Sequence, residues 1–363
     1  MAIDARIGRR AVLLGASTAF LLPKTVLGSH REPAFASCCQ MPDGRYGVAF
    51  LDEAAEVLFT ETLDGRGHDV AISPDRKTAV VFARRPGRFA LIIDVEHTRR
   101  AKVLVPPPDR HFYGHGFFSN DGRLLLATEN DFEAERGCLG LYDATDGFRR
   151  IGEFETGGIG PHEALLLSDG NTVAIANGGI VTHPDYPRQK LNLATMEPSM
   201  AIVDLASGDL VERAALPAHY HQISIRHMAE AGDGSIWFGG QYEGAATDQV
   251  PLVGRYRRGR GIELIEAPDE LYRSMNHYVG SVTASRDGSQ IATTSPRGGV
   301  AVVWDVATGN VVSRQSITDV CGVAPSQSGF VVSSGQGAIL SRDIQRSTGF
   351  GWDNHLTSFT ARN

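Results

Sequence analysis

Five histidines recur at one place in a repeated pattern, each just ahead of a short apolar strand: His68, His115, His162, His221 and His277. Their successive separations, 47, 47, 59 and 56 residues, follow the repeat. An uncharged imidazole is a borderline-soft nitrogen ligand. Several of them meeting on one axis suit iron, copper or zinc, whereas calcium asks for carboxylate and carbonyl oxygens. Two more can join the set: His183, from a long loop above the same axis, and His355, if the last strand of the chain is innermost in its sheet. Asp69 and Glu163, each directly after a histidine, can accept hydrogen bonds from the rings and orient them. The competing role for each histidine is a turn-fixing hydrogen bond, and for each acid a solvated turn.

The elements that must position these residues are read from self-similarity. One unit recurs: an apolar strand, a turn built on Asp-Gly or a near equivalent, a second apolar strand, a loop, and a third strand often ending in Asp. Its turns fall at Asp75, Asp121-Gly122, Asp169-Gly170, Asp233-Gly234 and Asp287-Gly288, with weaker copies starting near Ala34 (turn Asp43-Gly44) and near Thr318 (turn Ser328-Gly329). Third strands echo one another in Ile93-Asp94-Val95, Leu141-Tyr142-Asp143, Val203-Asp204-Leu205 and Trp304-Asp305-Val306. Seven such units predict an all-β fold, a single seven-bladed β-propeller of WD40 or YVTN type, in which the position before each innermost strand lies at the entrance of the central channel. Period alone also admits a sandwich or a linear solenoid. Counting by turns puts Thr318 and an alanine near Ala34 at the histidine position of the two weak copies. The segment from Asn354 to Phe359 is apolar enough to pair beside the N-terminal strand and lock the ring.

Loops between second and third strands return to the same face and are polar: they offer Asn130, Asn177, Gln241 and Glu243 as further residues facing a ligand. The longest runs from Asn177 to Ser199 and carries His183, Pro184, Pro187 and Pro198. Loops of that length inside a compact domain usually bind or cover something, so it is expected to act as a stiff lid over the channel mouth.

At the N-terminus, Arg9-Arg10 precede an apolar run from Ala11 to Leu22. A paired arginine before a short apolar segment is the address read by the twin-arginine exporter, and the run is too short to span a bilayer. Residues 1–29 are therefore expected to be a signal segment, with cleavage after Leu27-Gly28-Ser29 in preference to Ala34-Phe35-Ala36, and residues 30–363 the propeller, working in the periplasm. No later segment is a candidate membrane span. A net charge of -7 and the lack of a basic run argue against nucleic acid as partner. Cys38, Cys39, Cys138 and Cys321 show neither CxxC nor CxxCH spacing, which excludes covalent haem and leaves any disulfide pairing open. There is no P-loop, so no nucleotide is expected, and no GxSxG or HExxH motif names a reaction.

The segments Ala176-Asn177-Gly178-Gly179-Ile180, Thr182-His183-Pro184-Asp185, Leu191-Asn192-Leu193 and Met196-Glu197-Pro198-Ser199 resemble the signature of the domain-of-unknown-function family 1513. So do Arg66-Gly67-His68, Tyr113-Gly114-His115-Gly116 and Gly160-Pro161-His162-Glu163, so the resemblance spans most of the mature chain. It implies a twin-arginine-exported propeller and, by gene association, partners of imelysin type in iron uptake. It implies no activity that can be carried over to particular residues. The reading that results is a periplasmic propeller binding a transition metal, iron first and copper second, at its histidine-lined channel. The rival readings are a metal-free docking module of the same system and a metal-dependent redox enzyme.

Overall fold

The computed structural model describes residues 31–186 and 189–359; the expected signal segment lies outside them. The described chain is a seven-bladed β-propeller. Six blades are consecutive four-stranded antiparallel sheets, whose inner strands are Gly67–Ile72, Arg110–Phe118, Pro161–Leu166, Ile223–Glu230, Ser281–Ala284 and Val320–Ser326. Among the described residues the one α-helix is a six-residue turn, Asp269–Ser274.

The seventh blade takes strands from both ends of the chain. Phe35–Gln40, Tyr46–Leu51 and Val57–Thr62 form its outer part, and Gly351–Trp352 and Thr357–Ser358 pair with Phe35–Gln40 on the inner side, with Cys39 opposite Trp352 and Phe35 opposite Ser358. The C-terminal segment therefore closes the ring as anticipated. The N-terminal unit was expected to begin with an innermost strand near Ala34, and this is corrected: that strand is second in its blade, and the axial place belongs to the segment carrying His355.

Blades stack face to face because both faces of their middle strands are apolar. Val80, Phe82 and Ile92 of one blade pack with Phe112, Leu125 and Ala127 of the next, all buried. Turns within blades are held by a repeated device: Ser73 donates to Asp75 (2.6 Å), Ser119 to Asp121 (2.6 Å) and Ser285 to Asp287 (2.6 Å), while each aspartate accepts a backbone N–H two residues on. This short-range bonding is why the Asp-Gly periodicity reports blade positions so faithfully.

One local feature sets up the channel. Five inner strands break register with their neighbour near their start: between Gly67 and Val70, Phe112 and Gly116, Pro161 and Glu163, Ile225 and His227, and Val320 and Val323. A bulge adds a residue and re-aims its side chain. In the closing segment, Asp353 to Leu356 lie between the two short paired stretches and interrupt the pairing in the same way.

Candidate metal centre

The interrupted stretches carry His68, His115, His162, His227 and His355, and the five rings meet on the propeller axis. Ring centroids lie 4.6 Å apart for His68 and His355, 4.8 Å for His68 and His115, 4.7 Å for His162 and His227, and 4.5 Å for His227 and His355. All five residues are buried, His115 and His227 at 1% exposure and His355 at 9%. Ligand atoms of His68, His115 and His162 lie within 4.8 Å of one another, as do those of His115, His227 and His355. Close approach is built in: Gly114 has φ of 110°, and a Cβ there would stand 2.6 Å from the His68 ring. Such a position takes glycine.

Half of the ring nitrogens find no protein partner. Both nitrogens of His68, Nε2 of His115 and His355, and Nδ1 of His227 are buried without a hydrogen bond. Nε2 of His162 and Nε2 of His227 are 3.4 Å apart, so one of them must carry a proton or the two must share a cation. A buried polar atom left unpaired costs about 1–3 kcal/mol, and a fold seldom gathers several at one point without a use for them.

Carboxylates orient the set. Asp69 accepts from Nδ1 of His115 at 3.1 Å and from the Thr357 hydroxyl at 3.2 Å. Glu163 lies 3.6 Å from Nδ1 of His227 and is held by the Met228 amide at 2.7 Å. Asp353 stands 3.7 Å from Nδ1 of His68. Burial, followed by repulsion from neighbouring rings or Arg226, pushes His68, His162 and His227 well below the ordinary imidazole range, and burial with the His115 charge lowers His355 to about 4. Burial also opposes charge on His115, but the hydrogen bond and charge of Asp69 outweigh it and raise this one ring. At neutral pH the centre thus offers four neutral imidazoles and a fifth that can give up its proton to a competing cation.

The two sides of the cluster differ. Toward the ends of the inner strands the channel opens into a cavity of about 350 Å³, whose lining includes Asp69, Glu163, His115, His355, Ser281 and Thr283. On the other side lies the long loop. Asn192 clamps it on itself, accepting from the Val181 amide (2.8 Å) and donating to the Gly179 carbonyl (2.9 Å). The Tyr113 hydroxyl meets the Thr182 hydroxyl at 3.0 Å, Asn130 donates to the Thr182 carbonyl at 3.1 Å, and Lys190 is paired with Glu243. Replacing Asn192 by alanine is expected to loosen the loop by about 1–2 kcal/mol, read as faster hydrogen exchange at the Val181 amide with the blade amides unchanged.

His68, His115, His162 and His355 fall where the sequence places them; His221, His277 and His183 do not. His221 caps a 3-10 turn, its Nδ1 2.9 Å from the Ala218 carbonyl, and Nε2 of His277 is 2.9 Å from the Asp248 carbonyl, at a φ of 59°. Both do the turn-fixing work that was the competing reading. Nδ1 of His183 accepts from the Asp185 amide, and its ring packs on Phe132. Of the supporting residues, Asp69 and Glu163 face the rings and Asn130 and Glu243 anchor the loop. Asn177 donates to the Thr156 carbonyl (2.8 Å), and Gln241 forms a backbone bridge with Tyr278.

His227 was missed. Distance to the following turn identifies it: His68, His115 and His162 precede their turn aspartates by six or seven residues, and His227 precedes Asp233 by six, whereas His221 and His277 stand twelve and ten residues away. The same spacing places Cys321 at the axial position of its blade. There Sγ turns to the Asp319 carbonyl at 3.2 Å, and burial pushes the thiol well up. The four cysteines are unbonded thiols in this structure.

Fold and centre together define a seven-bladed propeller with a buried polyhistidine cluster able to hold a metal ion. The chain belongs to the family described as Protein of unknown function (DUF1513), which matches residues 61–359. No curated protein matches it. Among solved structures it is similar to Kuenenia stuttgartiensis hydrazine synthase, at 14% identity over 85% of this chain and 96% of that one, with a TM-score of 0.61; the likeness is one of fold.

Proposed function

We propose that this protein binds a single transition-metal ion on the propeller axis, with iron as the physiological metal, in the periplasm after twin-arginine export. The observation that carries the reading is five rings from five blades, four of them with an unpartnered nitrogen, whose ligand atoms form two sets that share His115 and lie within 4.8 Å of one another in each set. The donor set fits a first-row metal: neutral imidazoles suit iron, copper and zinc, and a carboxylate behind a histidine is the usual orienting device. Asp69 and Glu163, in the wall of the cavity, give a cation a negatively charged approach to Nε2 of His115 and His355. Iron rather than copper rests on the iron-uptake setting of the family, where imelysin-type proteins would be the partners. A redox role would need a second substrate, for which the cavity of about 350 Å³ has room.

The test is elemental analysis of tag-free protein prepared without chelators, followed by titration of the apoprotein with Fe(II), Cu(II) and Zn(II). One equivalent of iron, retained through gel filtration, is the expected result. Copper retained in its place would keep the centre and change the metal. Failure to take up any of the three would leave the docking module as the better account. Asp69→Asn is expected to weaken metal binding by about 10–100-fold, since it removes the charge that orients His115 and raises its basicity; competition against a chromogenic chelator measures this.

A further inference from the structure

The loop-facing side of the histidine cluster carries more cations than carboxylates. Arg226 directly precedes His227 in the bulge and is 5% exposed. A guanidinium has five N–H donors, yet its protein contact is one long bond from Nη2 to Glu243 at 3.5 Å, and its Nε is buried with no partner. Around it stand Arg84 and Arg85, both half-buried and close enough to repel it. Arg85 lies 6.0 Å over the Tyr113 ring, whose hydroxyl holds the loop. Arg66 and Arg84 converge on Asp353 at 2.5 and 3.7 Å, and Lys190 shares Glu243 with Arg226. Five cations thus face two carboxylates, in a protein whose net charge is -7.

We infer that this side of the channel is a binding site for a small oxyanion carrying two or three negative charges, held by Arg226 and Arg85 beneath residues 178–182 of the long loop. The chemistry follows from the donors. Guanidinium groups grip carboxylate and phosphate oxygens bidentately, and a desolvated arginine with open donors is more costly to bury than one that closes on an anion. An anion there would lie between the loop and the rings, on the side opposite the acidic cavity, so metal and anion would reach the axis from different ends. The inference goes beyond metal binding and does not require it: the arginines are present whether or not the rings hold an ion.

The experiment is calorimetric titration of the metal-free, tag-free chain with citrate and, separately, with inorganic phosphate at low ionic strength. One-to-one binding of either, weakened by added salt, is expected. Arg85→Gln and Arg226→Met should each weaken it by about tenfold or more, the loss of a charge-assisted bidentate contact. Arg226→Lys, which keeps the charge and loses the fork, should fall in between. Arg85 is half-buried and outside the bulges, so its variant keeps the test decisive should the Arg226 variants not fold. Absence of binding to both anions overturns the inference, as does binding that Arg85→Gln leaves unchanged. Neither outcome bears on metal uptake, which is scored in the absence of these anions.

Discussion

Joint replacement of His115, His227 and His355 by alanine is expected to remove metal binding, lowering affinity by more than about a hundredfold, beyond what loss of an outer carboxylate does. These three rings come from three blades, their ligand atoms lie within 4.8 Å of one another, and each has a nitrogen without a partner. The rings that remain, His68 and His162, supply two imidazole donors, too few to hold a first-row ion tightly. The propeller should survive, because the deleted groups lie on the axis, outside the apolar clusters between blades. Circular dichroism and gel filtration check this, and His355→Gln, which keeps bulk and polarity, provides a milder second variant. Metal retained by a folded triple variant would place the site elsewhere.

Acid should destabilise the metal-free chain, with the loss starting near pH 6.5, the ordinary imidazole value. His68, His162, His227 and His355 are held neutral by burial first and neighbouring charge second. Below about pH 6.5 the unfolded chain takes up protons that these folded rings refuse, so stability falls as pH drops. For His355, lowered from 6.5 to about 4, the window runs between those values and the loss is about 3 kcal/mol at its acid end. His115 acts oppositely: its raised value contributes stability that is complete below 6.5 and fades as pH rises through the folded value, so it offsets part of the loss. The check is the urea midpoint of wild type and His355→Gln at about pH 7.5 and about pH 4.5, with the variant expected to lose less on acidification. Bound metal should protect at neutral pH and be released over the same window, since a protonated ring cannot ligate.

The architecture was legible because its punctuation is local. Ser73 to Asp75 and Ser119 to Asp121 bond within a few residues, so turn positions survive in the sequence and count the blades. Closure by the C-terminal segment was legible from the apolar character of Asn354 to Phe359, and with it the place of His355. The error over His221 and His277 came from treating the histidine just ahead of the inner strand as axial. What brings a side chain to the axis is the bulge, at a fixed distance from the turn, and by that measure His227 qualifies and the other two do not. Arg226 and its neighbours were invisible for a different reason: Arg66, the Arg84-Arg85 pair and Lys190 come from three loops, and only the packing of blade on blade, with ring closure for Asp353, sets them against Asp353 and Glu243.

X-ray absorption at the metal edge of the iron-loaded protein tests the central claim most directly. The account predicts a first shell of about four nitrogen scatterers near 2.0–2.2 Å with the outer-shell pattern of imidazole, collapsing in the His115, His227 and His355 triple variant. A first shell of oxygen alone, or an imidazole pattern that the triple variant leaves intact, would contradict it.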